Sequence, residues 1–295
     1  HVSPKQVHEE TMPRKEALKL AEWLAEARKA AGEEGLHRRR VDFLGGAVDI
    51  FLKESKDFHD QTGVPVLPVL KVGDRPTVDG KLDEAFWTVY PHGGGMREFR
   101  TGDRPRYRTS FMMRWYQGDL YVGIRCEDEE GEELNITATE DDDPAILEGD
   151  SVTLLLETQD LSHYEITINP AGAVFDADHS EGGVGARWTA QAETAVHRGD
   201  GYWSTELRIP VVDRYDDPLH KVVGRRPSST FPWYFNVVRH RIREDAIALF
   251  AWEPGGQKDV NDPLTFGRIY LRPGSRMRSQ LRRDGVRTKP RVIQE

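Results

Sequence analysis

The sequence has little cysteine, no long apolar run and a shortage of positive charge. Cys126 is the only cysteine among 295 residues, which excludes an internal disulfide and a cysteine-rich zinc site. No run approaches the roughly 20 apolar residues of a membrane span, and no signal-peptide pattern opens the chain. Basic residues number 41 against 50 acidic ones, so the net charge of −9 argues against nucleic acid as a partner.

Common catalytic motifs are missing as well. The sequence contains no His-Glu-x-x-His zinc motif, no Gly-x-Ser-x-Gly nucleophile elbow and no phosphate-binding loop. A glycosidase needs two carboxyl groups that face each other across the scissile bond, about 5 to 10 Å apart. Asp79 and Asp83 in PTVDGKLDEAFWTVYP would lie side by side, and we interpret them as turn and cap residues ahead of the core anchors Phe86 and Trp87. These absences weaken an enzymatic interpretation without excluding it.

Two stretches near the start of the chain carry apolar residues at helical spacing. The segment at residues 11–31, TMPRKEALKLAEWLAEARKAA, has a stripe that includes Leu20 and Leu24. A second stripe runs from Val41 to Leu52 after the turn GEEG. The pattern predicts an α-helical hairpin over residues 1–61, and because two such helices cannot bury both apolar faces alone, we interpret it as the end of an upstream helical domain.

From about residue 62 the pattern changes to strands. TGVPVLPVLKVGDRP is dense in Pro, Gly and Val, and after it about ten short alternating runs are joined by Gly, Asp, Asn and Pro turns without an intervening helix. This predicts a mainly β domain over residues 62–272, an antiparallel β-sandwich of about ten strands. Residues 273–295 contain seven Lys or Arg, and we predict a mobile basic tail there.

The acidic stretch CEDEEGEELNITATEDDDPAILEGD, residues 126–150, is a candidate for ion binding. Calcium takes six to eight oxygen ligands from carboxylates and carbonyls, but the stretch lacks the regular spacing of a helix-loop-helix calcium site. A solvated acidic loop is the alternative. Asp128 and Asp150 are the candidate metal ligands, because both adjoin predicted strand ends that would hold them in place.

Seven tryptophans make sugar stacking a second possibility, since the C–H face of a pyranose ring packs on an aromatic ring. Trp188 and Trp252 lie near predicted strand ends, where packing and ligand stacking both remain open. Arg239 could present a planar guanidinium beside them. We predict Trp188, Arg239 and Trp252 as the ligand-binding face.

The order of several segments resembles the family 9 carbohydrate-binding modules and their relatives. The similar segments are TVDGKLDEAFW, FMMRWYQGDLYVGIRCED, LEGDSVTLLLE, YEITINPAGAVFDA, GYWSTELRIP, WYFNVVRHR, FAWEP and DPLTFGRIYL, and the similarity as a whole runs from about residue 68 to 272. The resemblance implies a β-sandwich, often with structural calcium, attached to polysaccharide-degrading enzymes. The helical segment AEWLAEARKAAGEEGLHRRRVDFL is similar to the end of the helical region in proteins that begin with an alpha-glucuronidase-like domain.

This sequence departs from the family at the residues that hold a sugar. The well-understood members clamp the sugar between two tryptophans, and the matching positions here hold Leu147 and Val260. The polar sugar-contacting positions correspond to Thr153, Thr167 and Val238. The resemblance therefore implies the fold and leaves the binding mode of the family in doubt.

Three functions follow from these observations. The first is a noncatalytic carbohydrate-binding module of a larger secreted protein in polysaccharide degradation, extracellular or periplasmic, with a polysaccharide or oligosaccharide as ligand. The second is a structural module that packs on a catalytic domain absent from this chain and has no ligand of its own. The third is glycoside hydrolase activity in the chain itself, for which the sequence shows no opposed carboxylate pair.

Overall fold

The computed structural model describes residues 14–30, 65–88, 93–158, 163–180, 185–213, 219–228, 231–243, 246–252, 260–263, 266–278 and 291–294. Helix α1 spans Arg14–Ala30, as predicted for the first half of the helical hairpin. The second predicted helix lies within residues 31–64, outside the described residues, so the structure supports the first helix alone. In the described part of the chain, no helix is long and apolar enough to cross a membrane.

The described residues after the helix form a mainly β structure. Its strands are β1 Val66–Val72, β2 Arg97–Glu98, β3 Thr109–Tyr116, β4 Asp119–Glu127, β5 Ser151–Glu157, β6 Tyr164–Ile168, β7 Val174–Asp178, β8 Glu193–Gly199, β9 Tyr202–Ile209, β10 Val211–Val212, β11 Val222–Val223, β12 Trp233–Arg243, β13 Ala246–Ala251, β14 Gly267–Arg278 and β15 Arg291–Gln294. Most of them coincide with the strand-like runs of the sequence, and several, such as β4, β5 and β9, are buried along nearly their whole length rather than on one face alone.

One sheet connects most of these strands in the order β7-β6-β5-β12-β14-β1-β3-β4-β9-β8, with β13 paired to β12 and β2. Neighbours along this order are antiparallel as predicted, except at β1, which pairs in parallel with both β14 and β3. The strands β10 and β11 form a separate parallel pair. Parallel pairing needs a long crossover connection, and β1 reaches β3 through the long segment that contains β2.

The sheet curls so that its two halves enclose one core. Trp115 of β3 and Trp233 of β12 are separated by two strands in the sheet order, yet their ring centroids are 5.8 Å apart. The same core cluster contains Ile166 of β6 and Leu207 of β9, which lie near opposite ends of the sheet. The described strands therefore have the two facing layers of the predicted β-sandwich.

A smaller core lies on the outer side of this sheet and contains the anchors predicted from GKLDEAFW. Phe86 and Trp87 are 2% and 3% exposed, and they pack with Leu70 and Tyr121. The indole Nε1 of Trp87 donates to Glu206 Oε1 at 2.6 Å. The prediction that this segment braces the domain is confirmed for both aromatic residues.

The last described strands pass the predicted domain end at residue 272. Strand β14 continues through Arg278, and Ser275 and Arg278 pair with Gln294 and Arg291 of β15. The residues between these two strands lie outside the described part of the chain. The sheet thus includes part of the segment for which the basic composition predicts a tail.

Candidate functional site

The two tryptophans predicted to stack on a sugar are buried in the main core. Trp188 is 2% exposed, and its ring stacks on Tyr164 with a centroid separation of 4.5 Å. Trp252 is 7% exposed and packs edge-on against Phe111, with centroids 5.2 Å apart. Neither ring presents a face to a sugar, because both side chains are buried against other aromatic rings of the core.

Arg239 is also buried, at 1% exposure, and belongs to a charged network. Its Nη2 donates to Asp128 Oδ2 at 3.0 Å, and its Nη1 donates to the backbone oxygen of Glu127 at 2.7 Å. Strand β12 places Arg239 on the same face as Phe235 and Val237, which belong to the core. The guanidinium therefore serves the interior of the domain rather than a ligand surface.

Arg239, Arg241 and Arg243 form what we call the arginine ladder, because alternate residues of β12 point to one face. Arg241 and Arg243 donate to the two oxygens of Asp128 at 2.9 and 2.8 Å. Arg243 also donates to Asp150 Oδ2 at 2.5 Å and to Glu132 Oε1 at 2.6 Å. The ladder therefore fastens both ends of the acidic segment to one strand.

These contacts decide whether Asp128 and Asp150 suit calcium. A calcium site needs carboxylate oxygens that are free to face a cation. Both oxygens of Asp128 and both oxygens of Asp150 instead accept hydrogen bonds from arginine side chains. Among the described residues, no group of three or more His, Cys, Asp or Glu side chains is arranged to hold a metal ion. The residues at this position do not fit the calcium that the resemblance implies.

The charges of the ladder also act on the pKa values of the network. Burial opposes ionisation of Asp128, but the hydrogen bonds and charges of the guanidinium groups, that of Arg241 first, bring the pKa of Asp128 below its usual range. Burial likewise disfavours the charged form of Arg243, and its bonds to Asp150 and Glu132 outweigh this and raise its pKa. The network is thus held in its charged form.

A different face of the sheet brings together the positions that correspond to the family's sugar contacts. Val238 of β12 pairs with Thr153 of β5, and Thr153 pairs with Thr167 of β6. The row continues to Phe175 of β7 and, on the other side, to Ala251 of β13. Cross-strand partners point to the same side of a sheet, so these residues share one face.

Leu147 and Val260 lie at the two ends of this row. Leu147 packs with Phe175 against a small cluster at the β7 end. Val260 packs against the cluster that contains Val238, at the β12 end. The fold therefore assembles the expected positions, but it fills the two ends with aliphatic side chains instead of aromatic platforms.

Four polar side chains on this face, carried by β5, β6 and the residue that follows β7, form a hydrogen-bonded chain. Thr153 Oγ1 and Thr167 Oγ1 are 2.8 Å apart, and Thr167 Oγ1 donates to Glu165 Oε1 at 3.1 Å. The other oxygen of Glu165 lies 2.7 Å from His179 Nε2. We call this set the polar chain. It is buried at its threonine end, where Thr153 and Thr167 are 4% and 0% exposed, and open at His179, whose side chain is 45% exposed.

The open end of the polar chain carries a carboxylate and an imidazole that hold each other in a charged state. Burial opposes ionisation of Glu165, yet the bond and charge of His179 lower the pKa of Glu165. The bond to Glu165 raises the pKa of His179 above its ordinary value. The ring of His163 lies beside that of His179, with 5.6 Å between the two ring centroids. This end can accept and donate hydrogen bonds side by side.

The comparisons with known proteins bear on the fold. No protein-family model matches the sequence, and a search of curated proteins found no significant relative. A structure from Bacteroides uniformis, assigned provisionally as a carbohydrate-binding protein, aligns with 70% of this chain and 99% of its own at a TM-score of 0.56 and 13% identity. The chain has the fold of that carbohydrate-binding-type β-sandwich. The resemblance is thereby confirmed for the fold, and the similarity of the helical segment to glucuronidase-associated proteins stays a prediction.

Two further structures show a family 9 carbohydrate-binding module from Caldicellulosiruptor kristjanssonii. The complex with cellotriose aligns with 76% of this chain at a TM-score of 0.47, and the complex with glucose aligns with 75% at 0.44. Both are 15% identical to this chain and are covered over 100% of their own length.

The sequence analysis missed Glu165 and His179. A signal for Glu165 was present, since YEITI places a charged residue two positions before Thr167 and on the same face of an otherwise apolar strand. His179 had no comparable signal, because it follows β7 and meets Glu165 only through the pairing of β6 with β7. The pairing register is a tertiary property.

Proposed function

We propose that this chain is a noncatalytic carbohydrate-binding module that holds a sugar at the open end of the polar chain. The proposal extends to its setting, a larger secreted protein that degrades polysaccharides outside the cell or in the periplasm. An upstream catalytic or helical domain of the same protein is the partner we propose. The shared fold supports the first part, and the resemblance of the sequence motivates the setting.

The polar chain is the observation that carries the proposal. A sugar offers pairs of neighbouring hydroxyl groups, and each hydroxyl both donates and accepts a hydrogen bond. His179 Nε2 donates to Glu165 Oε2 at 2.7 Å, so one sugar hydroxyl can donate to a remaining lone pair of the carboxylate while the Nδ1–H of the exposed imidazolium donates to the next hydroxyl. Thr167 and Thr153 fix the carboxylate from behind. Preorganised polar groups of this kind orient small ligands in binding sites.

The charge state of Glu165 favours binding over catalysis. A glycosidase acid needs a carboxyl group whose pKa is raised so that it is protonated near neutral pH. His179 shifts the pKa of Glu165 in the opposite direction. The group is suited to accept hydrogen bonds as a carboxylate and unsuited to donate a proton to a leaving group.

Calorimetric titration of the purified chain with neutral sugars, including glucose and cellotriose, tests the proposal. We expect at least one sugar to bind, and we expect Glu165→Gln to weaken it about tenfold, because a hydrogen bond to a charged group is worth about 1.5 to 3 kcal/mol. Glu193→Gln, at an exposed carboxylate of β8 on another edge of the sheet, is the matched control and leaves the affinity unchanged.

Two results count against this function. One is a folded protein that binds none of the sugars, which would favour the structural-module alternative. The other is a sugar whose affinity is the same for the parent protein and the Glu165→Gln variant. Thermal melting of each variant establishes that the protein is folded in both cases.

A further inference from the structure

Strands β4 and β9 carry polar side chains on the outer face of their layer, away from the main core. Cys126 of β4 and its cross-strand partner Trp203 belong to that core. Side chains alternate along a strand, so Arg125 and Glu127 of β4 and Tyr202 of β9 lie on the outer face. The polar chain occupies the outer face of β5 and β6 in the other layer. The two sets of side chains are therefore on opposite sides of the sandwich.

The guanidinium group of Arg125 is stacked on the ring of Tyr202. Its Cζ lies 3.4 Å from the ring centroid, which is van der Waals contact. Beneath the ring is the backbone of Gly199, since a Cβ at that position would come within 2.1 Å of Tyr202 Cε1. The ring thus holds the guanidinium at a fixed place and orientation. Stacking uses the flat face of the group and leaves its N–H donors free for a ligand.

Glu127 places a hydrogen-bond acceptor beside this stack. It is the cross-strand partner of Tyr202 and lies two residues beyond Arg125, about 7 Å along the strand. Its backbone N–H donates to the carbonyl oxygen of Arg108 at 2.8 Å, and its own carbonyl oxygen accepts from Arg239 at 2.7 Å. The position of Glu127 is therefore fixed by backbone contacts, and its carboxylate stays available.

The donors of Arg125 and the carboxylate of Glu127 are unpaired within the part of the chain that the structure describes. Neither side chain forms a hydrogen bond or an ion pair there, and their polar atoms are not among the buried ones. The same holds for the hydroxyl group of Tyr202. All three side chains are half-buried. Polar groups that are held in place and yet open to solvent can bind a ligand without first breaking internal bonds.

A covering segment borders this strip on one side. Farther along the same face, Leu82 packs on Gly123, where a Cβ would lie 2.4 Å from Leu82 Cδ2. The hydroxyl group of Ser204 donates to the carbonyl oxygen of Gly80 at 2.5 Å. The turn between β8 and β9 borders the strip on the other side. Arg125, Tyr202 and Glu127 thus lie in a short depression between two backbone turns.

We propose that Arg125, Tyr202 and Glu127, which we call the stacked site, form a second binding site for an uncharged sugar. The guanidinium fork can donate to the oxygens of two neighbouring hydroxyl groups, and Glu127 can accept from the next one. The planar stack offers a surface for the C–H groups of a sugar ring. Neighbouring hydroxyl groups are the ligand groups that can serve a fixed donor and a fixed acceptor together.

The charges that face the stacked site disfavour an acidic ligand. An anion that pairs with Arg125 would meet the carboxylate of Glu127 on the same face. The exposed side chain of Asp200, in the turn between β8 and β9, adds a second negative charge nearby. The ring of His197 lies 6.0 Å from that of Tyr202 and offers a further polar group. This mixed set suits a neutral glycan better than a uronate or a phosphate.

The stacked site goes beyond the proposed function because it gives the module two sites on opposite layers. The polar chain and the stacked site share no residue and no strand. A module with two such sites can hold two glycan chains at once, which raises its avidity for an insoluble polysaccharide. Either site could exist without the other, so the two proposals are independent.

Nuclear magnetic resonance titration of the full chain tests the proposal site by site. Amide ¹⁵N–¹H spectra are recorded during addition of cellotetraose, xylotetraose or mannotetraose. We expect saturable shifts of the amide signals of residues 197–204 and of the Arg125 Nε–H signal with at least one of these neutral sugars. The amide signals of residues 165–168 report the polar chain separately in the same spectra.

Variants locate the site. We expect Arg125→Ala to weaken the binding seen at residues 197–204 about tenfold, because bonds from a charged donor are lost. Glu127→Gln weakens it about fivefold, and Tyr202→Phe retains it because the ring still supports the guanidinium. The matched control is Arg104→Ala, at an exposed arginine outside β4 and β9, which leaves the binding unchanged. Thermal melting establishes that each variant is folded.

Three outcomes overturn the proposal. They are the absence of shifts at residues 197–204 with all three sugars, an equal effect of Arg125→Ala and Arg104→Ala, and tighter binding of trigalacturonate or inorganic phosphate at the same signals. Glu165→Gln leaves the shifts at residues 197–204 unchanged. Shifts confined to residues 165–168 would overturn the stacked site and support the proposed function, and shifts confined to residues 197–204 would do the reverse.

Discussion

Glu206 is a carboxylate that the fold buries at 1% exposure among three hydrogen-bond donors. Its Oε2 accepts from the backbone N–H groups of Asp79 and Gly80, each at 2.7 Å, and its Oε1 accepts from Trp87. A side chain at Gly80 would clash with the backbone of Val196, so the turn can sit this close to the sheet only as glycine. Glu206 thus connects the GKLDEAFW segment to β9.

The environment of Glu206 predicts a dependence of stability on pH. Burial raises its pKa from 4.5 to about 7 despite the three donors, and the neighbouring Glu84 adds to the shift. The folded state therefore binds a proton that the unfolded state has released between these pH values, so stability from this group falls as pH rises from about 4.5 through 7. A shift of this size corresponds to about 3 kcal/mol.

Urea unfolding at pH 5 and pH 8 measures this effect with Glu206→Gln. We expect the variant to be less stable by about 1 to 3 kcal/mol at pH 5, because an amide N–H₂ replaces one acceptor oxygen and faces a donor. We also expect a smaller loss of stability between the two pH values than in the parent protein. Glu193→Gln, at an exposed site, is the control. An identical pH dependence in the parent and in Glu206→Gln would contradict the assignment.

At the scale of elements, the arginine ladder joins β12 to the acidic segment between β4 and β5. Asp128 and Asp150 have side chains that are 3% exposed, so each is a buried charge that depends on its guanidinium partners. Removing one partner of a buried ion pair leaves an uncompensated charge, which costs about 3 to 5 kcal/mol. Exposed pairs contribute about 1 kcal/mol or less.

Arg243→Met tests the ladder. We expect a loss of about 3 kcal/mol in the free energy of unfolding, measured by chemical denaturation, because Asp150 loses its arginine partner. Adding Asp150→Asn to that variant should restore part of the loss, since the unpaired charge is gone. Arg75→Met breaks the exposed pair with Glu193 and should change stability by less than about 1 kcal/mol. Equal effects of Arg243→Met and Arg75→Met would show that the ladder contributes no more than a surface pair.

The elements also show how far the sequence alone could lead. Strands such as β5 and β9 were predicted as short strand-like runs bounded by turn residues, and the structure buries both along nearly their whole length. Strand β1 was missed because the Pro-, Gly- and Val-rich stretch that contains Pro68 was interpreted as the start of the β domain and not as one of its strands, whereas the structure places it between β14 and β3. Its parallel pairing joins segments far apart in sequence, for which no local pattern exists.

The candidate site was less predictable than the fold. A position near a predicted strand end left both packing and ligand stacking open for Trp188, and the structure buries its ring on Tyr164, with the indole donating to the carbonyl oxygen of Lys221. Asp128 and Asp150 were correctly placed beside strand ends, and their partners were not foreseeable because the arginines of β12 lie about a hundred residues away in sequence. Partners across a sheet are set by register, which a single sequence does not reveal.

At the scale of the whole molecule, the described core clusters of the sandwich draw on residues from Leu67 to Leu271. Of the α1 residues whose side chains are described, 21–30, none belongs to these clusters, and Trp23 is 68% exposed. A domain whose core is complete should fold without an added segment. Independent folding distinguishes an autonomous binding module from a structural module, which depends on its neighbouring domain.

Removal of residues 1–61 tests that difference. We expect the shortened chain to be monomeric by light scattering, to melt within a few degrees of the parent protein, and to retain sugar binding, because every described core contact of the sandwich remains. A control that starts at residue 75 also removes β1 and should fail to fold, since β14 and β3 then lose the strand between them. Aggregation of the chain that starts at residue 62 would instead indicate an exposed apolar docking surface and favour the structural module.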